Sequence, residues 1–264
     1  MKSPDETTLF TTSGMQKRKL QFSDPTMGRT TLCDSQRCLR LNDLDEIGDG
    51  THFLDFYMLG LFSFRHWSMK EGVDFWMRFL TSINVLPDTV TIHPDMQHHR
   101  HLYKDYDVTI LEDDECIWSD GNIGGYCTEF YKNGVEIGNI VNPNGDSLDC
   151  GFGLERVSSF IPNFQGEEPT KGNVLVRTIE LLISEGIVPS NTKHGYVLRK
   201  LIRKCFKEGI VLIDSTVVSD EHIKYLRVIR DIPKILKKFP DKTPEFYYDT
   251  FGIDKELLVD FLVK

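Results

Sequence analysis

Asp149, Gly151, Gly153, Glu155 and Arg156 fall within eight positions, inside the stretch SLDCGFGLERV at 147–157. Those residue types in that order suit a ligand with an amine at one end and phosphates at the other. A carboxylate at Asp149 can hold an ammonium group. Glycines at 151 and 153 let a backbone approach a ligand closely. The guanidinium of Arg156 is a planar fork that matches phosphate oxygens. ATP beside an amino acid is one such pair of ligands. The same spacing also fits a tight strand-to-helix joint with a surface Glu155–Arg156 pair, because a short glycine pattern is a weak signal by itself.

A second cluster lies further along. Arg199, Lys200, Arg203, Lys204 and Lys207 are spaced by one, three, one and three. This predicts a basic helix face opposite Val197, Leu198, Leu201 and Ile202. Such a face suits nucleic-acid phosphates, and equally suits plain solvent. The run HPDMQHHRH at 93–101 has four histidines but no acid or cysteine ligands at regular spacing, and reads as an exposed connector. The six cysteines are scattered without a CxxC pair, so no zinc ribbon or disulfide framework is indicated, and no protein metal cluster is expected.

The elements that would position these groups read as α+β up to about residue 165. TVTI at 89–92, DVTILE at 107–112 and EIGNIV at 136–141 are short β-branched runs that predict strands. Val73, Trp76, Met77 and Leu80 lie at i, i+3, i+4 and i+7, which predicts an amphipathic helix. IPNFQGEEPTKGN at 161–173 reads as a linker. Beyond it the period becomes helical. Leu175, Thr178, Ile179 and Leu182 make one stripe, ended by Gly186. A second helix runs from after Ser190 to Gly209. A third covers roughly 220–238, broken or bent at Pro233. A fourth starts at Asp254, with Leu257, Leu258, Phe261 and Leu262 on one side.

The bulk numbers set limits. The 264 residues make one large domain or two small ones. A formal charge of -9 argues against blanket affinity for nucleic acid and leaves room for a local basic face. No apolar run approaches the ~20 residues of a membrane span, so no membrane partner is expected. MKSPDETTLF carries no apolar signal core, and a cytoplasmic location is expected.

GFGLER at 151–156 resembles motif 3 of the class II aminoacyl-tRNA synthetases, and the surrounding segments resemble the alanyl-tRNA synthetase family within that class. TLFTTSGM at 8–15, SQRCLRLNDLDEIG at 35–48, MLGLFSF at 58–64, YCTEFY at 126–131, EIGNIV at 136–141, LDCGFGLERV at 148–157, VPSNTKHGYVLRKLIRK at 188–204 and EFYYDTFGID at 245–254 each look like that family's segments, in the same order. The resemblance implies a class II antiparallel sheet with flanking helices over 1–165. A helical domain that reads a tRNA acceptor stem would follow over 166–264.

It also implies a chemistry: activation of a small amino acid, alanine by default, with ATP and Mg2+, then transfer to a tRNA or tRNA-like acceptor. Arg156 matches the arginine on the ATP phosphates, with Glu155, Gly151, Gly153 and Arg40 as further nucleotide-binding residues. Asp149 matches the acid on the substrate ammonium. Asn139 and Trp118 would line the amino-acid pocket, though a core indole fits Trp118 equally. Asn191 and Asp249 match the residues facing the acceptor-stem wobble pair, with Arg199 and Arg203 as RNA contacts beside them.

The chain departs from the family at several places. THFLDFYMLG at 51–60 puts Thr51 where the resemblance expects a phosphate-gripping arginine, and Tyr57 where it expects a glutamate. Arg40, His52 and Arg65 remain as cations that can compensate. The family's EIWN tryptophan is Gly138, which is expected to widen or reshape the pocket. The family's glycine- and cysteine-rich loop is shortened to SDGNIGGY at 119–126. These departures leave two other functions open: aminoacyl transfer to a non-tRNA acceptor, and an inactive paralogue that binds RNA or a partner protein. A partner chain supplying missing domains is a further expectation.

Overall fold

A computed structural model describes residues 2–4, 8–121 and 123–262, without the side chains of Asp120, Glu256, Asp260 and Leu262. Asn122 of the SDGNIGGY loop, part of the N-terminal decapeptide and the Leu262 side chain thus lie outside the described residues. The chain divides into two compact units, Met1–Val174 and Leu175–Lys264.

Among the described residues of the first unit, eight strands are found. They are β1 (Thr30–Leu39), β2 (Asp55–Phe64), β3 (Thr89–Ile92), β4 (Thr109–Glu112), β5 (Ile117–Asp120), β6 (Ile123–Lys132), β7 (Val135–Val141) and β8 (Leu148–Gly153). The sheet order is β1-β2-β8-β7-β6-β3-β4, with β5 paired to β6. Only β3 and β4 run parallel; the other described pairs are antiparallel. Helices α1 (Lys19–Ser23), α2 (Met69–Ser82) and α3 (Leu154–Ser159) flank the sheet sequence. This is the mixed α+β architecture expected, with a large, mostly antiparallel sheet.

The predicted strands at 89–92, 107–112 and 136–141 are β3, β4 and β7 within two residues. β1, β2, β5, β6 and β8 were not legible. In β2 the run FSF and its neighbours are buried on both faces, so the polar–apolar alternation that marks a strand is absent. The predicted amphipathic helix is α2. Ser68 and Glu71 close a capping box at its start, and Val73, Trp76, Met77 and Leu80 are buried on one face. That face packs on Leu61, Cys150 and Phe152 of the sheet. Trp76 stacks on Phe152 with ring centroids 3.9 Å apart and planes 20° from parallel. The histidine run is a 3-10 helix, Pro94–Tyr103, rather than a plain connector.

The linker reading ends early, because α4 (Lys171–Ser184) takes in the last three of its residues. The second unit continues with α5 (Lys193–Glu208), α6 (Thr216–Lys238), α7 (Pro244–Phe251) and α8 (Lys255–Leu262), an all-α tail. Gly209 ends α5 in the left-handed conformation, φ 71°. Of the break or bend expected at Pro233, the break does not occur: α6 runs through it to Lys238. Proline deletes one backbone donor there. The packing of Ile232, Ile235 and Leu236 against Tyr247, Ile253 and Leu258 holds the helix on both sides of the gap. α7 was missed, although Thr243 at its N-cap accepts from the Phe246 amide and Pro244 follows at the first helical position. No helix among the described residues is long and apolar enough to cross a membrane.

Candidate active site

The strand-to-helix joint in GFGLER is where β8 ends and α3 begins. Side chains alternate across a strand, and β8 shows it in its burial. Leu148, Cys150 and Phe152 are buried, while Asp149, Gly151 and Gly153 are partly open. The register extends this division to the neighbours. Asp149 lies opposite Phe62 and Val141, Gly151 opposite Gly60 and Asn139, and Gly153 opposite Met58. One sheet face therefore carries acid, amide and glycines. The other carries the apolar core under α2.

The open face forms a pocket of about 810 Å³, the open solvent at its mouth included. Asp149, Asn139, Gly151, Gly153, Glu155, Arg156, Trp118 and Arg40 all line it. Every residue assigned from the sequence to ATP or to the amino acid is thus brought to one cavity, from β1's end, β5, β7, β8 and α3. Ser13, Asp43, Phe56, Met58 and Glu136 line it too, and were not singled out beforehand. Ser13 and Glu136 lie in segments that resemble the family, which is the signal that could have found them.

At Gly151 the backbone lies close to the Met58 side chain. A Cβ there would meet the Met58 sulfur at 3.0 Å. Gly138 has a different reason. Its backbone touches the pocket, but a Cβ would meet the Phe152 ring at 2.3 Å and the Gly151 carbonyl oxygen at 2.7 Å. The expectation of a widened pocket is therefore corrected. The missing side chain at 138 faces the core, where Phe152 and Trp76 fill the space.

The charges are arranged along the cavity. The Arg156 guanidinium donates to the Glu136 carbonyl at 3.1 Å and stands 3.8 Å from the Glu136 carboxylate. Glu155 accepts from the Tyr57 backbone amide at 2.9 Å, which ties α3 to β2 at the position where a glutamate was expected. Burial raises the Asp149 carboxyl from 3.8 to about 7. Among the described residues no side chain bonds it, so desolvation acts alone. Burial likewise raises Asp43, against the pull of Arg40.

The three cations proposed to replace the absent arginine are separated by the structure. Arg40 lines the pocket; its Nε donates to the Thr12 carbonyl at 3.0 Å and its guanidinium lies 5.2 Å from the Phe56 ring centre. Thr51 lines the same pocket. His52 is turned to Asp49 and Glu46, at 2.6 and 3.0 Å. Arg65 donates to the carbonyls of Gln21 and Met27.

In the second unit, Asn191 and Asp249 are exposed and Arg199 and Arg203 are not. Each arginine retains 7% of its surface. The expected basic face is corrected accordingly. Arg199 donates to Asn191 Oδ1 and, at 3.2 Å, to the Tyr248 hydroxyl, next in sequence to Asp249. Arg203 bonds Glu221 of α6 at 2.7 Å and the Gly252 carbonyl at 2.9 Å, with Asp254 at 3.5 Å. Buried arginine keeps its charge, so it is satisfied by these internal partners and cannot serve as a solvated phosphate contact. Lys200 and Lys207 remain exposed, and Lys204 pairs with Glu208 at 3.2 Å.

The family model described as tRNA synthetases class II (A) matches residues 1–141 and 175–238. Alanine--tRNA ligase of Francisella tularensis subsp. tularensis (strain WY96-3418) is 32% identical over 78% of this chain and 32% of its own length. The enzymes of the same name from Francisella philomiragia and from F. tularensis subsp. novicida (strain U112) are each 31% identical over the same shares. The chain spans about a third of the length of these relatives. It belongs to the class II (A) tRNA synthetases, as a divergent, alanyl-tRNA synthetase-like member.

Proposed function

We propose that the chain activates a small amino acid, alanine first, as its adenylate and passes the acyl group to a tRNA or tRNA-like acceptor. The observation that carries this reading is the meeting of Asp149, Asn139, Arg40 and Arg156 in one cavity. Asp149 would take the substrate ammonium, which supplies the counter-charge its buried carboxylate lacks. Asn139, one strand over, would orient the amino acid. An oxygen of the amino-acid carboxylate attacks the α-phosphorus of ATP; the bond to the β-phosphate oxygen breaks and pyrophosphate leaves. Arg40 and Arg156 would neutralise charge on the phosphates, Arg40 taking the part of the arginine absent at Thr51, which lines the same pocket. Glu136 and Glu155, which line the pocket with Arg156, would hold Mg2+ together with the substrate phosphates. The ion supplies charge neutralisation at the triphosphate.

Exposed Asn191 and Asp249 are proposed as acceptor-stem contacts in a helical recognition domain, with Arg199 holding Asn191 against Tyr248. The buried state of Arg199 and Arg203 leaves fewer cations for RNA than the sequence suggested. It therefore favours a second reading on one point only: transfer to an acceptor other than tRNA.

The test is amino-acid-dependent ATP–pyrophosphate exchange with Mg2+ and no RNA, across all amino acids. Exchange with alanine is expected. Arg40→Ala and Arg156→Ala should each lower it by about a hundredfold or more, whereas His52→Ala should leave it within a few-fold. No exchange from a folded sample would refute the enzymatic reading and favour an inactive paralogue. Equal loss in His52→Ala would refute the assignment of Arg40.

A further inference from the structure

A group of side chains outside the catalytic assignment meets at the far end of the open sheet face. Cys127 and Glu129 are two apart on β6, so they share a side of the strand. Cys116 precedes β5 and lies across from Cys127, whose amide donates to the Cys116 carbonyl at 2.9 Å. The two sulfurs and a Glu129 oxygen all lie within 4.8 Å of one another. Cys116 retains none of its surface and Cys127 5%. Thr91 Oγ1 is 2.9 Å from the Cys116 sulfur, and the Tyr131 hydroxyl donates to the other Glu129 oxygen at 2.7 Å.

The geometry points to a thiolate–carboxylate metal site formed by Cys116, Cys127 and Glu129, of the class that takes Zn2+. Tetrahedral zinc at about 2.3 Å from sulfur and about 2.0 Å from oxygen sets donor edges of about 3.5–3.8 Å. The present spacing reaches that by small side-chain rotations, and Cys127 and Glu129 already stand 4.0 Å apart. Two soft sulfurs select zinc over the Mg2+ that the catalytic pocket would use. On binding, each thiol gives its proton to solvent and the carboxylate ligates as the anion. Tyr131 and Thr91 supply the outer hydrogen bonds that orient a ligating carboxylate and thiolate. Three protein ligands leave a fourth position for water.

The site would also brace the pocket. Val141 and Trp118 pack on the two cysteines, and Asn139 lies opposite Glu129 in the sheet. All three residues line the pocket. The metal would fasten the start of β5, and so Trp118, to β6 of the main sheet. This inference stands apart from the proposed activity, because the ligands are not those assigned to ATP or the amino acid.

The test is Co2+ titration of the reduced, metal-stripped full chain, read by absorption. Expected are saturation at one Co2+ per chain, a thiolate-to-cobalt charge-transfer band in the near ultraviolet, tetrahedral d–d bands in the visible, and displacement of both by Zn2+. Cys116→Ser and Cys127→Ser should each weaken the charge-transfer band, and the double variant should lose it, in samples with wild-type circular dichroism. Glu129→Gln keeps both sulfurs and should weaken Co2+ binding at least tenfold. Weak octahedral d–d bands without charge transfer would overturn the site. So would an unchanged charge-transfer band in the double serine variant, or no metal uptake by a reduced chain whose Cys116 and Cys127 pair as a disulfide on oxidation.

Discussion

Asp149→Asn is the perturbation with the sharpest physical consequence. The wild-type carboxyl sits at about 7 in the folded chain, against the ordinary aspartate value of 3.8. That difference amounts to ~4 kcal/mol against the ionised form, and the opening of the pocket to water makes this an upper bound. The sign follows from where the proton is. Below pH 3.8 both folded and unfolded chains hold it, and Asp149 has no effect on stability. Between 3.8 and about 7 the unfolded chain has released the proton and the folded chain has not. Stability therefore falls as pH rises through this window and levels off above it. From pH 6 to pH 8 this residue alone removes about 1 kcal/mol. Asparagine keeps the shape and does not titrate, so the variant should lose about 1 kcal/mol less than wild type over the same interval. Urea unfolding followed by tryptophan fluorescence measures it, because Trp67, Trp76 and Trp118 all lie in the first unit. Groups common to both proteins cancel in the comparison. Parallel pH dependence in the two proteins would refute the claim that the carboxyl is buried without a partner. Under the proposed function, added alanine should flatten the wild-type curve, since its ammonium stabilises the ionised carboxylate.

Three other outcomes are expected. Gly138→Ala places a methyl 2.3 Å from the Phe152 ring and should cost about 1–3 kcal/mol in the same urea assay, with Phe152→Leu restoring part of it. Glu221→Gln leaves the Arg203 guanidinium without its buried counter-charge and should cost about 3 kcal/mol, read as faster amide hydrogen exchange in α5 and α6 of the full chain. Arg199→Ala releases Asn191 from Tyr248; gel-shift titration with an acceptor-stem RNA should show at least fivefold weaker binding, with pyrophosphate exchange unchanged.

The sequence alone named many of the residues that line the first unit's pocket. Acid, glycines and arginine in LDCGFGLER are a local constellation, and one β-strand with a helix behind it is enough to present them. α2 was legible for the same reason, since helical period and capping are short-range. Trp118 and Asn139 could be named but not placed, because they come from other strands, and register is a non-local property. The choice among Arg40, His52 and Arg65 likewise required tertiary structure. It depends on which side chains find partners, and although Asp49 is only three residues from His52, only folding brings Gln21 to Arg65. The basic run of α5 shows the limit most plainly. Spacing told that Arg199 and Arg203 share a face, but not whether that face meets water. Buried Glu221 on α6 and Tyr248 on α7 decide this, because a charge can leave solvent only where another part of the chain supplies its partner.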